Sequence, residues 1–133
     1  MIRTRIMATG ACVPEQIITN DDLAKVVDTS DEWISQRTGI RERRISAGEN
    51  TSALAIGTAK QVIERAEISP EDVDLIIVAS VTPDYGTPSL ACMVQKELGM
   101  VNVVAFDVVA ACSGFMFALS IACLLYTSPS PRD

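Results

Sequence analysis

Two periods of apolar and polar residues run along this 133-residue chain. Asp74-Leu75-Ile76-Ile77-Val78-Ala79-Ser80 and Val103 to Val109 are uninterrupted apolar runs, too short for independent helices and rich in β-branched residues. They predict strands buried in the middle of a sheet that helices cover on both faces. Leu54, Ala55, Ala59, Val62, Ile63 and Ala66 instead follow the helical period and predict a long amphipathic helix capped by Thr51 or Ser52. Ser69-Pro70-Glu71-Asp72 starts a helical turn. Ser89 starts a helix through Leu98 that Gly99 closes, and Ser113 starts a last one that runs to about Leu125. Nearer the N-terminus, Ile2 to Thr9 alternates as a first strand and Gly10 to Pro14 forms a turn. Asn20 caps a short helix from Asp21 to Val27, and Thr29 or Ser30 caps a second from Asp31 to Arg37, which Gly39 ends in the left-handed conformation. Arg41 to Ile45 is extended. The order strand, helix, strand, helix predicts an α/β fold with a largely parallel sheet.

The second apolar strand runs into the last helix through Ala110-Ala111-Cys112-Ser113-Gly114. Ser113 or Gly114 is expected to turn the backbone, which leaves Cys112 at or one residue before a helix N-terminus. Free N–H groups and the macrodipole there favour a thiolate, and the same donors stabilise an oxyanion on a carbonyl that the sulfur attacks. Buried packing is the commoner role of an apolar-flanked cysteine. Trp33 and Arg37, four residues apart, share a helix face and can flank one planar ligand; the alternative makes Trp33 a core anchor with Arg37 lying over it. The loop Val81 to Ser89, with two prolines and a glycine, follows the carboxyl end of a buried strand, where α/β sheets place ligands.

Composition narrows the chemistry. Hydrophobic residues make up 48% of the chain and the mean hydropathy is +0.26, apolar enough to expect neighbours. No apolar run reaches a membrane span and no signal peptide opens the chain, so a cytoplasmic location without membrane attachment is expected. Cys12, Cys92, Cys112 and Cys123 are dispersed and there is no histidine, so neither disulfides nor a metal site is expected. The missing imidazole also removes the usual proton carrier for a catalytic thiol. A net charge of −6 argues against a nucleic-acid partner. Arg37, Arg41, Arg43 and Arg44 are the local exception, either a phosphate-binding patch or partners of Asp31, Glu32 and Glu42.

Ala105-Phe106-Asp107-Val108-Val109-Ala110-Ala111-Cys112-Ser113-Gly114-Phe115 resembles the nucleophile segment of the β-ketoacyl-acyl-carrier-protein synthase III family, in the thiolase superfamily. Asp28-Thr29-Ser30-Asp31-Glu32-Trp33-Ile34, Arg37-Thr38-Gly39-Ile40-Arg41-Glu42-Arg43 and Thr87-Pro88-Ser89 resemble further motifs of that family, and the likeness runs from about Ile2 to about Ala122. It implies a thiolase-like layered α/β fold, here its N-terminal half only, with a mostly parallel mixed sheet covered by helices. It implies initiation of fatty-acid synthesis: Cys112 takes an acyl group from acyl-coenzyme A, and the acyl-enzyme condenses with malonyl-acyl-carrier protein as carbon dioxide leaves. By the same resemblance Trp33 stacks on the coenzyme adenine, Thr29 bonds to that base and Arg37 lies near the phosphates. Thr87 matches a position that limits acyl-chain length from across a homodimer interface; threonine in place of phenylalanine frees space there for a starter longer or bulkier than acetyl. The coenzyme is a substrate, and no cofactor is held permanently.

The resemblance also implies a catalytic histidine and asparagine in a C-terminal half that this chain lacks, so condensation is expected to be incomplete and a large apolar surface uncovered. Residues 1–123 are expected to belong to the condensing-enzyme domain. Residues 124–133, where the amphipathic pattern gives way to a serine- and proline-rich end, are expected to be an atypical tail of foreign sequence. Two alternatives stay open: another thiolase-superfamily acyltransferase using the same cysteine, and an inactive module that binds coenzyme A or carrier protein.

Overall fold

The computed structural model describes residues 4–127. They fall into two units, one of Cys12–Asn50 and one of the described parts of Met1–Ala11 and Thr51–Asp133. In the first, β1 (Gln16–Thr19) pairs antiparallel with β2 (Glu42–Ile45), Gln16 opposite Ile45 and Thr19 opposite Glu42. Between them lie α1 (Asn20–Ala24) and α2 (Asp31–Thr38).

The cap of α1 sits one residue earlier than the sequence suggests. The Thr19 hydroxyl accepts from the Asp22 N–H at 3.1 Å while the Asp22 carboxylate accepts from the Thr19 N–H at 3.1 Å. This reciprocal pair satisfies two helix donors where Asn20 would satisfy one. Asn20 is thereby released from capping and turns inward, with 1% of its surface exposed. The helix ends at Ala24 and not at Val27, because Val26 and Val27 are exposed and have no apolar face to join. In α2 the expectation holds: Ser30 accepts from the Trp33 N–H, and Gly39 closes the helix at φ 73°, a conformation that costs a side-chain-bearing residue about 1 kcal/mol or more.

The second unit contains α3 (Thr51–Ala66), a 3-10 turn at Pro70–Asp72, β3 (Leu75–Ala79), α4 (Leu90–Glu97), β4 (Val104–Val108) and α5 (Gly114–Thr127). The strand expected at Ile2 to Thr9 is not formed between Thr4 and Thr9, and Ile2 and Arg3 lie outside the described residues. β3 and β4 pair only with each other among the described residues, so this segment finds no ladder, and Ile6 is exposed. The last helix passes the expected end near Leu125 and continues to Thr127; residues 128–133 of the expected tail lie outside the description.

β3 and β4 run parallel, with Leu75 opposite Val104 and Ala79 opposite Val108. Because side chains alternate, Ile76, Val78, Ala105 and Asp107 share one face, and Leu75, Ile77, Ala79, Val104, Phe106 and Val108 share the other. The first face receives α4, whose Leu90, Ala91 and Val94 form the core with Met100. The other receives α5, whose first residue Gly114 approaches so closely that an added Cβ would stand 3.1 Å from Ala79 Cβ. Neither strand is fully buried, which departs from the apolar runs that suggested cover on both sides. Among the described residues both strands are edges of a two-stranded sheet, and α5, which leaves Phe115, Met116, Phe117, Leu124 and Leu125 exposed, covers that face only in part. Among the described residues no helix is long and apolar enough to cross a membrane.

The core is tied together by a carboxylate. Asp107 accepts from the Leu90 N–H at 2.7 Å and the Ala91 N–H at 2.8 Å, while the Ser89 hydroxyl accepts from Cys92. Three free donors at the start of α4 are thus satisfied, two of them by a carboxylate that also fixes the helix to β4. Replacing Asp107 by alanine is expected to lower the unfolding free energy by about 1–2 kcal/mol. A shift of the urea midpoint to lower concentration measures it; an unchanged midpoint would show that water caps the helix equally well.

Candidate active site

Cys112 sits where β4 becomes α5. Ala110 leaves the strand at φ −146° and ψ 29°, Ala111 follows at φ 45°, and Ala111–Ser113 form a 3-10 turn before Gly114 enters the helix. The Ser113 N–H donates to Ala110 O at 3.0 Å and closes the turn. The sequence assigns the bend to Ser113 or Gly114, whereas the left-handed residue is Ala111. Gly114 has ordinary helical angles, and its missing side chain serves the approach to Ala79. A left-handed alanine costs about 1–3 kcal/mol and persists only where surrounding structure holds it, a kind of strain that concentrates at functional sites.

The turn presents Cys112 to solvent. Its side chain borders an open cavity of about 530 Å³ between β3 and α5, lined by Leu75, Ile77, Ala79, Phe115, Ala118 and Leu119 among others. Every other side chain bordering the cavity is apolar. Such a space accepts an aliphatic chain and leaves the thiol as its one reactive group. Thr87 does not border it. It is exposed on the loop between β3 and α4, which is anchored by the Thr51 hydroxyl donating to Thr82 O at 2.7 Å and by the Ser52 N–H donating to the Asp84 carboxylate at 3.1 Å.

Thr29, Trp33 and Arg37 come together in the other unit. Asp28, Thr29, Ser30 and Trp33 line a cavity of about 380 Å³ at the start of α2. The Arg37 guanidinium carbon lies 4.7 Å from the centroid of the Trp33 ring. Trp33 is 54% exposed, so the core-anchor alternative fails and the indole is a surface platform with a cation on one face.

No family model matches the chain. A β-ketoacyl-[acyl-carrier-protein] synthase III of Clostridium acetobutylicum is 57% identical over 122 residues, 92% of this chain and 38% of the relative. The crystal structure of a 3-oxoacyl-[acyl-carrier-protein] synthase III from Aquifex aeolicus superposes with a TM-score of 0.89 at 49% identity, over 94% of this chain and 41% of that one. This chain is homologous to the synthase III enzymes. A third synthase III, from Thermus thermophilus, matches with a TM-score of 0.85 at 43% identity, over 92% of this chain and 38% of its own. The layered α/β fold is therefore that of the synthase III enzymes over the matched part, and the chain spans about 38% of the length of the curated relatives it matches.

The arginine cluster is largely engaged. Arg43 donates to Asn20 Oδ1 at 2.9 Å, and Arg44 donates to the carbonyls of Pro14 and Glu15 at 3.4 and 3.2 Å. The alternative in which these arginines pair with Asp31, Glu32 and Glu42 is not seen; among the described residues the ion pairs are Lys25–Asp22 and Lys60–Glu97. Sequence reasoning missed Asn20, Asp84 and Asp107 because each works through a partner far along the chain. The Asp31 carboxylate, at the start of α2, accepts from the Asn20 amide at 2.7 Å and the Ser35 hydroxyl at 3.1 Å. These bonds, the amide first, hold its carboxyl below the usual carboxylate value. A carboxyl lowered in the folded state contributes stability above its unfolded value, and that contribution disappears as pH falls through the lower folded value. An NMR titration of Asp31 is expected to show a midpoint below that of a free aspartate, moving upward in Ser35→Ala. A midpoint at or above the free value would contradict the hydrogen-bond geometry.

Proposed function

We propose that this chain carries the acyl-accepting part of a synthase III reaction, the step that initiates fatty-acid synthesis, with Cys112 as nucleophile. The observation that carries the reading is the exposed thiol, held by a strained turn at the mouth of an apolar cavity. The sulfur attacks the carbonyl of acyl-coenzyme A, forming a new carbon–sulfur bond and a tetrahedral oxyanion. Collapse breaks the bond to the coenzyme sulfur, and coenzyme A departs with the proton that Cys112 gave up. The acyl chain then occupies the space between β3 and α5. In the second half, malonyl-acyl-carrier protein loses carbon dioxide and its carbanion displaces Cys112, giving the β-ketoacyl product. The chain contains no histidine, so an imidazole for that half must come from outside these 133 residues.

In this reading Trp33 receives the adenine by stacking, Thr29 bonds to the base and Arg37 answers the phosphates. The exposed indole, the adjacent cation and the small cavity at Thr29 support those roles. Thr87 acts on acyl length as a wall across a homodimer interface. The whole protein is cytoplasmic, takes acyl-coenzyme A as substrate and keeps no resident cofactor. The same exposed Trp33 and Arg37 favour one second reading, a binding module for coenzyme A or carrier protein without turnover.

Incubation with radiolabelled acyl-coenzyme A separates the two. Label is expected to stay on the denatured chain and to vanish in Cys112→Ser; equal labelling of the variant, or binding that denaturation reverses completely, would sink acyl transfer. In a full-length enzyme carrying these residues, Thr87→Phe is expected to reduce acylation by four-carbon and branched starters about tenfold or more while sparing acetyl. Unchanged relative rates would remove Thr87 from the acyl-length wall.

A further inference from the structure

Asn20 is almost completely buried, and each polar atom of its side chain is committed to a different element. Its amide nitrogen donates to Asp31 Oδ1 at 2.7 Å and to Ile40 O at 2.8 Å, with Ser35 Oγ at 3.4 Å beside them. Its carbonyl oxygen accepts from Arg43 Nη1 at 2.9 Å. Asp31 is the first residue of α2 and Ile40 follows the Gly39 cap, so one amide grips both the entry and the exit of that helix and connects them to β2.

An eight-residue helix has little stability of its own, so its position depends on what holds it. Beyond its own caps, α2 buries only Ile34. At about 100° per residue, Asp31 and Ser35 lie on one side of the helix, and Trp33 and Arg37 lie about 160–240° around it. The face gripped by Asn20 is therefore opposite the face that carries the indole and the guanidinium. Any rotation or slip at Asn20 turns that outer face by the same angle.

We propose that Asn20 is a positioning residue for coenzyme recognition: by clamping both ends of α2 it sets the direction in which Trp33 and Arg37 meet the nucleotide. This rests on the reading of that face as the coenzyme site. The chemistry demands an amide, since two donors and one acceptor are used together. Aspartate keeps the size and the Arg43 contact but loses both donors and sets a second carboxylate against Asp31.

Trp33 is the one tryptophan of the chain, so its emission reports the site directly. Binding of coenzyme A to the whole chain is followed by quenching of that emission. Acylation of Cys112 by a thioester that lacks the nucleotide is followed in parallel. Asn20→Asp is expected to weaken coenzyme A about tenfold or more while leaving acylation by the short thioester within twofold. The exchange Asn20→Asp with Asp31→Asn restores one donor–acceptor pair and is expected to recover part of the loss. Should the Asn20 variants fold poorly, Ser35→Ala removes one bond to Asp31 and the longer contact with the Asn20 amide, and is expected to weaken coenzyme A severalfold with the short-thioester rate unchanged. Equal affinity in Asn20→Asp and the parent would overturn the proposal. So would a parallel fall of both readouts, which marks general destabilisation, or no recovery in the exchange. A parent chain that acylates but leaves Trp33 unquenched would instead refute the coenzyme site itself.

Discussion

Parallel pairing of β3 with β4 is the constraint on which the larger unit depends. With Leu75 beside Val104 and Ala79 beside Val108, both strands finish at the same edge, and their outgoing loops start from one end of the sheet. One loop carries Thr87 and leads to α4; the other carries Cys112 and leads to α5. The alternation of side chains then divides the labour. Asp107 faces α4 and secures the core, while Ala79 faces α5 and makes room for Gly114, the residue that ends the turn behind Cys112. A single register thus determines where the sulfur stands and what holds the opposite side together.

Much of this was legible in the residues, for reasons that differ from element to element. The β-branched runs around Ile76 and Phe106 marked β3 and β4, and Ser30, Ser69 and Ser89 marked helix starts, because those signals lie within a few residues of the structure they specify. Alternation near the N-terminus predicts a strand but supplies no partner, so residues 4–9 join no ladder among the described residues. Val103 to Val109 read as buried on both faces, yet β4 is half-covered, because burial depends on what lies opposite and not on the strand's own hydrophobicity.

Residues of the candidate sites divide in the same way. The position of Cys112 at a strand-to-helix junction is legible from two adjoining local patterns, and the shared helix face of Trp33 and Arg37 from their spacing. Ala111 was not, since nothing in an alanine announces a left-handed backbone that the fold imposes. Asn20 was read as a cap because a following pair of aspartates is a good local reason for one. Its actual bonds reach residues 11 to 23 positions away, beyond any short pattern. In the smaller unit the carboxylates of Asp22, Asp31, Glu32 and Glu49 accept from amides, hydroxyls and Lys25, while Arg43 and Arg44 donate to an amide oxygen and carbonyls, so the four clustered arginines form no ion pair among the described residues.

The guanidinium that rests on the indole has a consequence for selectivity. A flat ring approaching that side of Trp33 does not fill an empty berth; it must dislodge the cation already seated there. The outcome is an exchange, in which one stack is surrendered for another and little is gained by flatness alone. A visitor that brings its own anionic group gives the displaced arginine somewhere to go. Under the proposed coenzyme reading, the pair therefore favours a molecule that joins an aromatic head to an anionic tail on the face where Arg37 lies.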